Sequence, residues 1–135
     1  MLTVQLSLPT LRYDSLAKVW RFYQPVLSRI EALPGVLRAG VSWSLPFTGT
    51  YGCTGQSFED PRVLQRLREI GTTTCADMAP ASPGYFEALG IPLLAGRLFH
   101  DGDNDQPERG AVIVSRAFAE RFWPGQDPIG KGVRP

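Results

Sequence analysis

Apolar and polar residues alternate along two stretches in the first third of the chain. In residues 2–8 every second residue is leucine or valine, and the residues between them are polar. In residues 36–45, Leu37, Val41 and Trp43 share one face. A period of two residues is typical of a strand that buries one face. The pattern therefore predicts strands at 2–8 and 36–45, with Trp43 packed in the core.

Between these stretches the apolar residues recur at steps of three and four over residues 16–33. This spacing places them, Trp20 included, on the core side of one helix. Asp14 or Ser15 can cap the first turn, because a side-chain oxygen there can accept a free backbone N–H. Pro25 lies on the polar side of the stripe and removes one backbone hydrogen bond. The sequence predicts either one helix kinked at Pro25 or two shorter helices.

The middle of the chain contains turn-forming residues and one amphipathic segment. Residues 46–55 are rich in glycine and threonine, which favours a loop. Two interpretations of residues 56–71 stay open: a helix capped by Asp60 and ended by Gly71, or an irregular excursion. Residues 72–78 begin with three threonines and alternate, which predicts a strand.

Residues 82–99, SPGYFEALGIPLLAGRLF, contain the clearest start and stop signals. Ser82 can cap a helix, and Pro83 is well tolerated at a first helical position. Gly90 can take the left-handed conformation that ends a helix. A strand is predicted next, over residues 93–99.

A polar loop follows at residues 101–110, and the apolar run 111–114 predicts a further strand. Ser115 begins a helix that ends at Trp123 before a Pro-Gly pair. The element order predicts an α+β fold, in which a mixed βαββαβ-like unit is followed by a smaller α/β unit.

Composition narrows the class of protein. The chain has 135 residues, of which 43% are hydrophobic and 20% charged, and a net charge of +1. Non-specific binding to nucleic acid or to an anionic membrane needs a basic surplus, which is lacking. No apolar run is long enough to span a bilayer, and no signal-peptide pattern is present. We expect either a cytoplasmic protein or a piece excised from a longer chain.

Two ligand-binding patterns are incomplete. Residues 125–131 have the spacing of a phosphate-binding loop, but Gly132 replaces the Ser or Thr that holds magnesium. The aspartates 101, 103 and 105 have the spacing of a calcium loop, but Gln106 and Val112 stand where Gly and Glu are required. The sequence therefore indicates neither a metal nor a cofactor site.

Side chains with reactive or binding potential are few. His100 is the only histidine, and no Gly-x-Ser-x-Gly segment presents a serine to it. We interpret it as a surface histidine and assign no catalytic residue; a small hydrolase using His100 and the nearby aspartates is an alternative. Trp123, at a helix end, is expected to face solvent and is the candidate interface residue. Cys53 and Cys75 can form one disulfide in an oxidising compartment, or remain small apolar residues in a reducing one.

Five blocks of sequence together resemble a known family. They are LSLPTLRY at 6–13, LPGV at 33–36, SLPF at 44–47, SPGYFEALGIPLLAGRLF at 82–99 and VIVSRAFAERFWPGQDPIGKGV at 112–133. Their order is similar to that of the MacB-like periplasmic core domain of MacB/FtsX-type ABC-transporter permeases. The last two blocks are the most specific, and residues 48–71 match no block.

The resemblance implies a non-enzymatic domain on the outer side of the cell membrane, without a cofactor. Residues 1–99 would form a porter-type subdomain, and residues 100–135 the beginning of a smaller inserted one. A cytoplasmic ATPase would move the membrane helices, and this domain would transmit the motion to a periplasmic adaptor or an exported substrate. A periplasmic location also favours a disulfide between Cys53 and Cys75, which would add about 3 kcal/mol of stability.

The family domain continues beyond the DPIGK block, and the missing part should supply at least one strand. Because an unpaired strand edge invites pairing with another chain, we predict that this chain dimerises or exchanges elements. A stand-alone α/β module that binds a small ligand is the main alternative to the transporter interpretation.

Overall fold

The computed structural model describes residues 1–43, 53–104 and 110–134. Its helices are α1 (Leu16–Glu31), α2 (Pro61–Glu69), α3 (Tyr85–Ala88) and α4 (Arg116–Phe122). Its strands are β1 (Cys53–Gly55), β2 (Ser57–Phe58), β3 (Cys75–Asp77) and β4 (Val133–Arg134). A 3-10 turn covers Asp101–Asn104. This mixture of helices and short antiparallel pairs confirms the predicted α+β class.

Three predicted helices form with the caps that the sequence indicated. Ser15, Asp60 and Ser115 each accept a hydrogen bond from a backbone N–H of the first turn of α1, α2 and α4. The open choice for residues 56–71 is therefore settled in favour of a helix. α1 runs through Pro25 as one helix, so the alternative of two shorter helices is wrong. Gly90, at φ +66°, follows α3 as predicted.

Four predicted strands are wrong within the described residues. The stretches 2–8, 36–43, 93–99 and 111–114 contain no strand, apart from one antiparallel bridge between Ser42 and Ala81. A strand needs a neighbour for its backbone N–H and C=O groups along its length, and among the described residues these stretches have no such neighbour beyond that one bridge. Of the strand predicted over 72–78, the part 75–77 forms as β3.

The chain divides into two compact units, each built from two segments. The first unit comprises residues 1–43 and 81–110, and the second comprises 44–80 and 111–135. The predicted subdomains 1–99 and 100–135 are assigned from the order of the family's motifs, whereas these two units are defined by contacts between residues. That assignment stays a prediction.

The second unit holds an aromatic-rich core made of Phe58, Val63, Leu67, Phe122 and Trp123. α2 contributes two of these side chains, four residues apart on its inner face. The ring of Phe122 lies 4.8 Å from that of Phe58 and 4.4 Å from that of Phe118, measured between centroids. Two antiparallel pairs, β1 with β3 and β2 with β4, complete the unit.

The first unit is packed differently. Among its described residues, the one buried side chain is that of Ser82. The apolar face of α1 is half-buried or exposed, with Trp20 half-buried. Trp43 is 80% exposed, so its predicted place in the core is wrong. The reason is that the described part of the predicted strand, residues 36–43, has no sheet in which to bury a face.

Candidate functional site

Two segments of the first unit, 38–42 and 81–87, pack closely against each other, and we call this pair of segments the clasp. The backbone N–H of Ser82 donates to the carbonyl oxygen of Val41 at 2.9 Å. In return, the N–H of Val41 donates to the hydroxyl oxygen of Ser82 at 2.8 Å. Ser82 is only 4% exposed, so water does not compete well for these bonds. The serine hydroxyl thus replaces a backbone carbonyl in a strand-like pairing.

Two glycines allow the segments of the clasp to approach each other. A Cβ atom at Gly40 would lie 2.7 Å from the amide nitrogen of Tyr85 and would overlap its Cα. A Cβ atom at Gly84 would lie 2.6 Å from the carbonyl oxygen of Ala39. Gly84 also has φ +80°, a conformation that side chains disfavour. Larger residues at either position would push the two segments apart.

Charged side chains border the clasp. Glu31 is the last residue of α1, and its Oε1 atom accepts a hydrogen bond from the backbone N–H of Ala39 at 3.0 Å. Arg38 donates from Nε to Oε1 of Glu87 at 3.1 Å. Both members of this ion pair are about half exposed, so it contributes at most about 1 kcal/mol. Together these contacts connect α1, the clasp and α3.

The predicted role of Ser82 as a helix cap is wrong. The N–H of Tyr85 donates to the carbonyl oxygen of Ser82 at 3.2 Å, across Pro83 and Gly84. Proline followed by a glycine with positive φ is the signature of a type II turn. α3 begins only at Tyr85, without a side-chain cap, and Pro83 lies before the helix. The hydroxyl oxygen of Ser82 therefore accepts a hydrogen bond from Val41 and does not cap α3.

A second polar cluster joins the 3-10 turn to the residues just before it. The guanidinium of Arg97 donates to both carboxylate oxygens of Asp103, at 2.8 and 2.6 Å. Asp103 also accepts the backbone N–H of His100 at 3.0 Å. The hydrogen bonds from Arg97, and then the one from His100, hold the pKa of Asp103 well below its usual range. The carboxylate thus stays ionised and closes the turn.

Asp103→Asn is expected to reduce stability at pH 7 by about 1–2 kcal/mol, because a charge-assisted pair between the half-exposed Arg97 and the mostly buried carboxylate of Asp103 is lost. The folded-state pKa of Asp103 lies below the unfolded value of about 3.9. Its stabilisation is therefore complete above the unfolded value, and it is lost as the pH falls from that value through the lower folded-state pKa. Urea unfolding at neutral and acidic pH measures both effects.

The matched control for this change is Asp101→Asn, since the carboxylate of Asp101 accepts one long hydrogen bond, 3.4 Å, from Gln24. We expect Asp103→Asn to flatten the loss of stability on acidification and Asp101→Asn to leave it unchanged. Identical acid profiles for the wild type and Asp103→Asn would contradict the assignment.

The other ligand-binding patterns do not assemble. Residues 125–131 follow α4 and lead into β4, whereas a phosphate-binding loop lies between a strand and a helix. Lys131 donates to the side-chain oxygen of Gln126 at 2.8 Å. Asp105 and Gln106 of the calcium-like pattern lie outside the described residues. In the described parts of the chain, no three His, Cys, Asp or Glu side chains are placed to hold a metal ion.

His100 is exposed, as expected for a surface histidine, with Nε2 3.5 Å from a carboxylate oxygen of Asp103. Trp123, in contrast, is 3% exposed, and the prediction that it faces solvent is wrong. Its backbone leaves the helical conformation just after α4, and its ring packs 5.7 Å from those of Phe58 and Phe118. The contacts of Trp123 lie within the core and carry no information about a partner protein, so its role as an interface residue stays a prediction.

Cys53 and Cys75 are the first residues of the antiparallel strands β1 and β3, in which Cys53 pairs with Asp77 and Cys75 pairs with Gly55. Their Cα atoms are 5.4 Å apart, within the range that a disulfide spans. The covalent bond itself stays a prediction.

Sequence reasoning missed the contact between Val41 and Ser82, because it placed the two residues in a strand and a helix. One signal was present: glycine inside an alternating stretch, as at Gly40, often marks the close approach of another backbone. For Arg97 and Asp103 no local pattern indicated the pairing.

In the described parts of the chain, no helix combines the length and apolar character needed to cross a membrane. One family model matches residues 12–134, a range that includes every helix and strand described above. That match places the chain in the class of periplasmic domains of ABC-transporter permeases, on the outer side of the cell membrane. The chain belongs to the MacB-like periplasmic core domain family. It matches no curated protein and no solved structure.

Proposed function

We propose that this domain transmits motion from the membrane part of the permease to a periplasmic adaptor or an exported substrate, and that it catalyses no reaction. The observation that supports this is the way the two units are connected. The chain passes between them at residues 43/44, 80/81 and 110/111. A displacement imposed on one unit therefore reaches the other through three covalent connections. A cytoplasmic ATPase would supply the motion, as the membership in an ABC-transporter family suggests.

The experiment that tests this proposal uses the full-length permease with its ATPase in membranes. Leu67→Ala removes a buried side chain from the core of the second unit, and Leu37→Ala removes an exposed one as the control. With comparable membrane insertion, we expect Leu67→Ala to lower export by about tenfold, a usual size for coupling between sites. Basal ATP hydrolysis should stay the same. Unchanged export would contradict a transmitting role, and an equal loss of ATP hydrolysis would indicate an effect on the ATPase instead.

We also infer that the isolated domain associates with a second copy. Leu2, Val4 and Leu6 share one face of an exposed stretch that pairs with no strand among the described residues. Backbone groups and apolar side chains arranged in this way can add to the edge of another sheet. Light scattering over a range of concentrations should therefore show a dimer at high concentration. A monomer mass throughout would count against association.

A further inference from the structure

Residues 78–80 connect two positions that are each held by pairing with another segment. On one side, Asp77 ends β3 and faces Cys53 of β1. On the other side, Ala81 bridges Ser42 at the edge of the clasp. The first pair belongs to the second unit and the other pair to the first unit. We call residues 78–80 the tether.

Both ends of the tether are tied to well-packed parts of their units. Ala76, one residue before the end of β3, packs against the aromatic core of the second unit. Ser82, one residue after the bridge, exchanges two hydrogen bonds with Val41 in the clasp. A pull on the tether therefore acts on the core at one end and on the clasp at the other.

The second connection between the same two pairs is much longer, since residues 43–52 run from Ser42 to Cys53. A chain extends by at most about 3.3–3.6 Å per residue, so the tether reaches its full length well before residues 43–52 do. Pro80 also fixes one of its backbone dihedral angles. When the two pairs are drawn apart, the tether carries the load first.

We propose that, of the two connections between these pairs, the tether is the one through which a displacement of one unit is delivered to the other. This inference rests on the proposed function, because it names the part of the domain that performs the transmission. It makes the length of residues 78–80 critical and the length of residues 43–52 unimportant.

The test is a matched pair of insertions. Two glycines inserted between Ala79 and Pro80 lengthen the tether, and the same two inserted between Thr48 and Gly49 lengthen the other connection. In the isolated chain, 15N relaxation measures a rotational correlation time for each unit. We expect the 48/49 insertion to leave both values as they are in the wild type. The 79/80 insertion should shorten both values, because the units then separate in their motion.

Correlation times unchanged from the wild type after the 79/80 insertion, or the same shortening after both insertions, would overturn the inference. If the 79/80 insertion prevents folding, as circular dichroism would show, Pro80→Ala loosens the tether without lengthening it. That variant should shorten both correlation times to a smaller extent, and no shortening would overturn the inference.

The same insertions in the full-length permease separate this inference from the proposed function. We expect export to fall about tenfold with the 79/80 insertion and to stay unchanged with the 48/49 insertion. If the units separate in the relaxation experiment while export is unaffected, the tether is supported as a physical link and the proposed transmitting function fails. If the units do not separate, the tether fails whatever the export result.

Discussion

Leu67→Ala lowers the free energy of unfolding of this domain by about 3–5 kcal/mol, the largest effect that we expect from a single side chain. Leu67 is 2% exposed and lies on the inner face of α2, within the core cluster. Truncation removes its burial and leaves a cavity that rigid aromatic neighbours such as Phe122 fill poorly. Small domains have about 5–15 kcal/mol in total, so this change removes a large part of the stability.

Urea unfolding followed by tryptophan fluorescence measures this loss, because Trp123 is buried in the same cluster. Leu37→Ala is the matched control: Leu37 is 88% exposed, and its truncation should change stability by less than about 0.5 kcal/mol. Similar midpoints for the two variants would show that the core of the second unit does not dominate the stability of the domain.

Reduction of a bond between Cys53 and Cys75 is the second large effect that we expect, at about 3 kcal/mol. A disulfide there would close the loop that contains β2 and α2, and would limit the freedom of the unfolded chain. The Cα distance of 5.4 Å accommodates the bond without moving β1 or β3. The periplasmic location supplies the oxidising conditions.

Two measurements test the bond. Thiol titration of the unfolded protein, purified without reductant, should find no free thiol, and two reactive thiols would refute the bond. Urea unfolding with and without a reductant should then differ by about 3 kcal/mol in the wild type. The double variant Cys53→Ala/Cys75→Ala serves as the control, because a reductant should have no effect on it.

The helices show what local sequence is able to determine. α1, α2 and α4 begin after the capping residues Ser15, Asp60 and Ser115, as predicted. A helix makes its hydrogen bonds within a few residues, and a capping side chain bonds to the adjacent turn, so all of the partners are close in sequence. The family blocks were recognisable for a similar reason, since each is a continuous stretch.

The strands show where local sequence falls short. The alternation at 2–8 and 36–45 indicated which residues share a face, but it carries no information about a partner strand. Within the described residues, 2–8 and 36–43 form no strand, since the one bridge between Ser42 and Ala81 does not extend into a sheet, and Trp43 stays exposed. Trp123 illustrates the reverse case, because its position at a helix end suggested exposure although the aromatic core of the second unit encloses it.

The sequence by itself determined α1, α2 and α4 with their caps, the α+β class and the family, because each depends on neighbouring residues or on continuous blocks. Only the tertiary structure decided the clasp, the partner of Asp103 and the division of the chain into two units. Val41 and Ser82 are 41 positions apart, and their contact depends on how the intervening chain folds. Such contacts are set by packing between segments that are distant in sequence. A short sequence pattern contains no information about which distant segment will lie next to it.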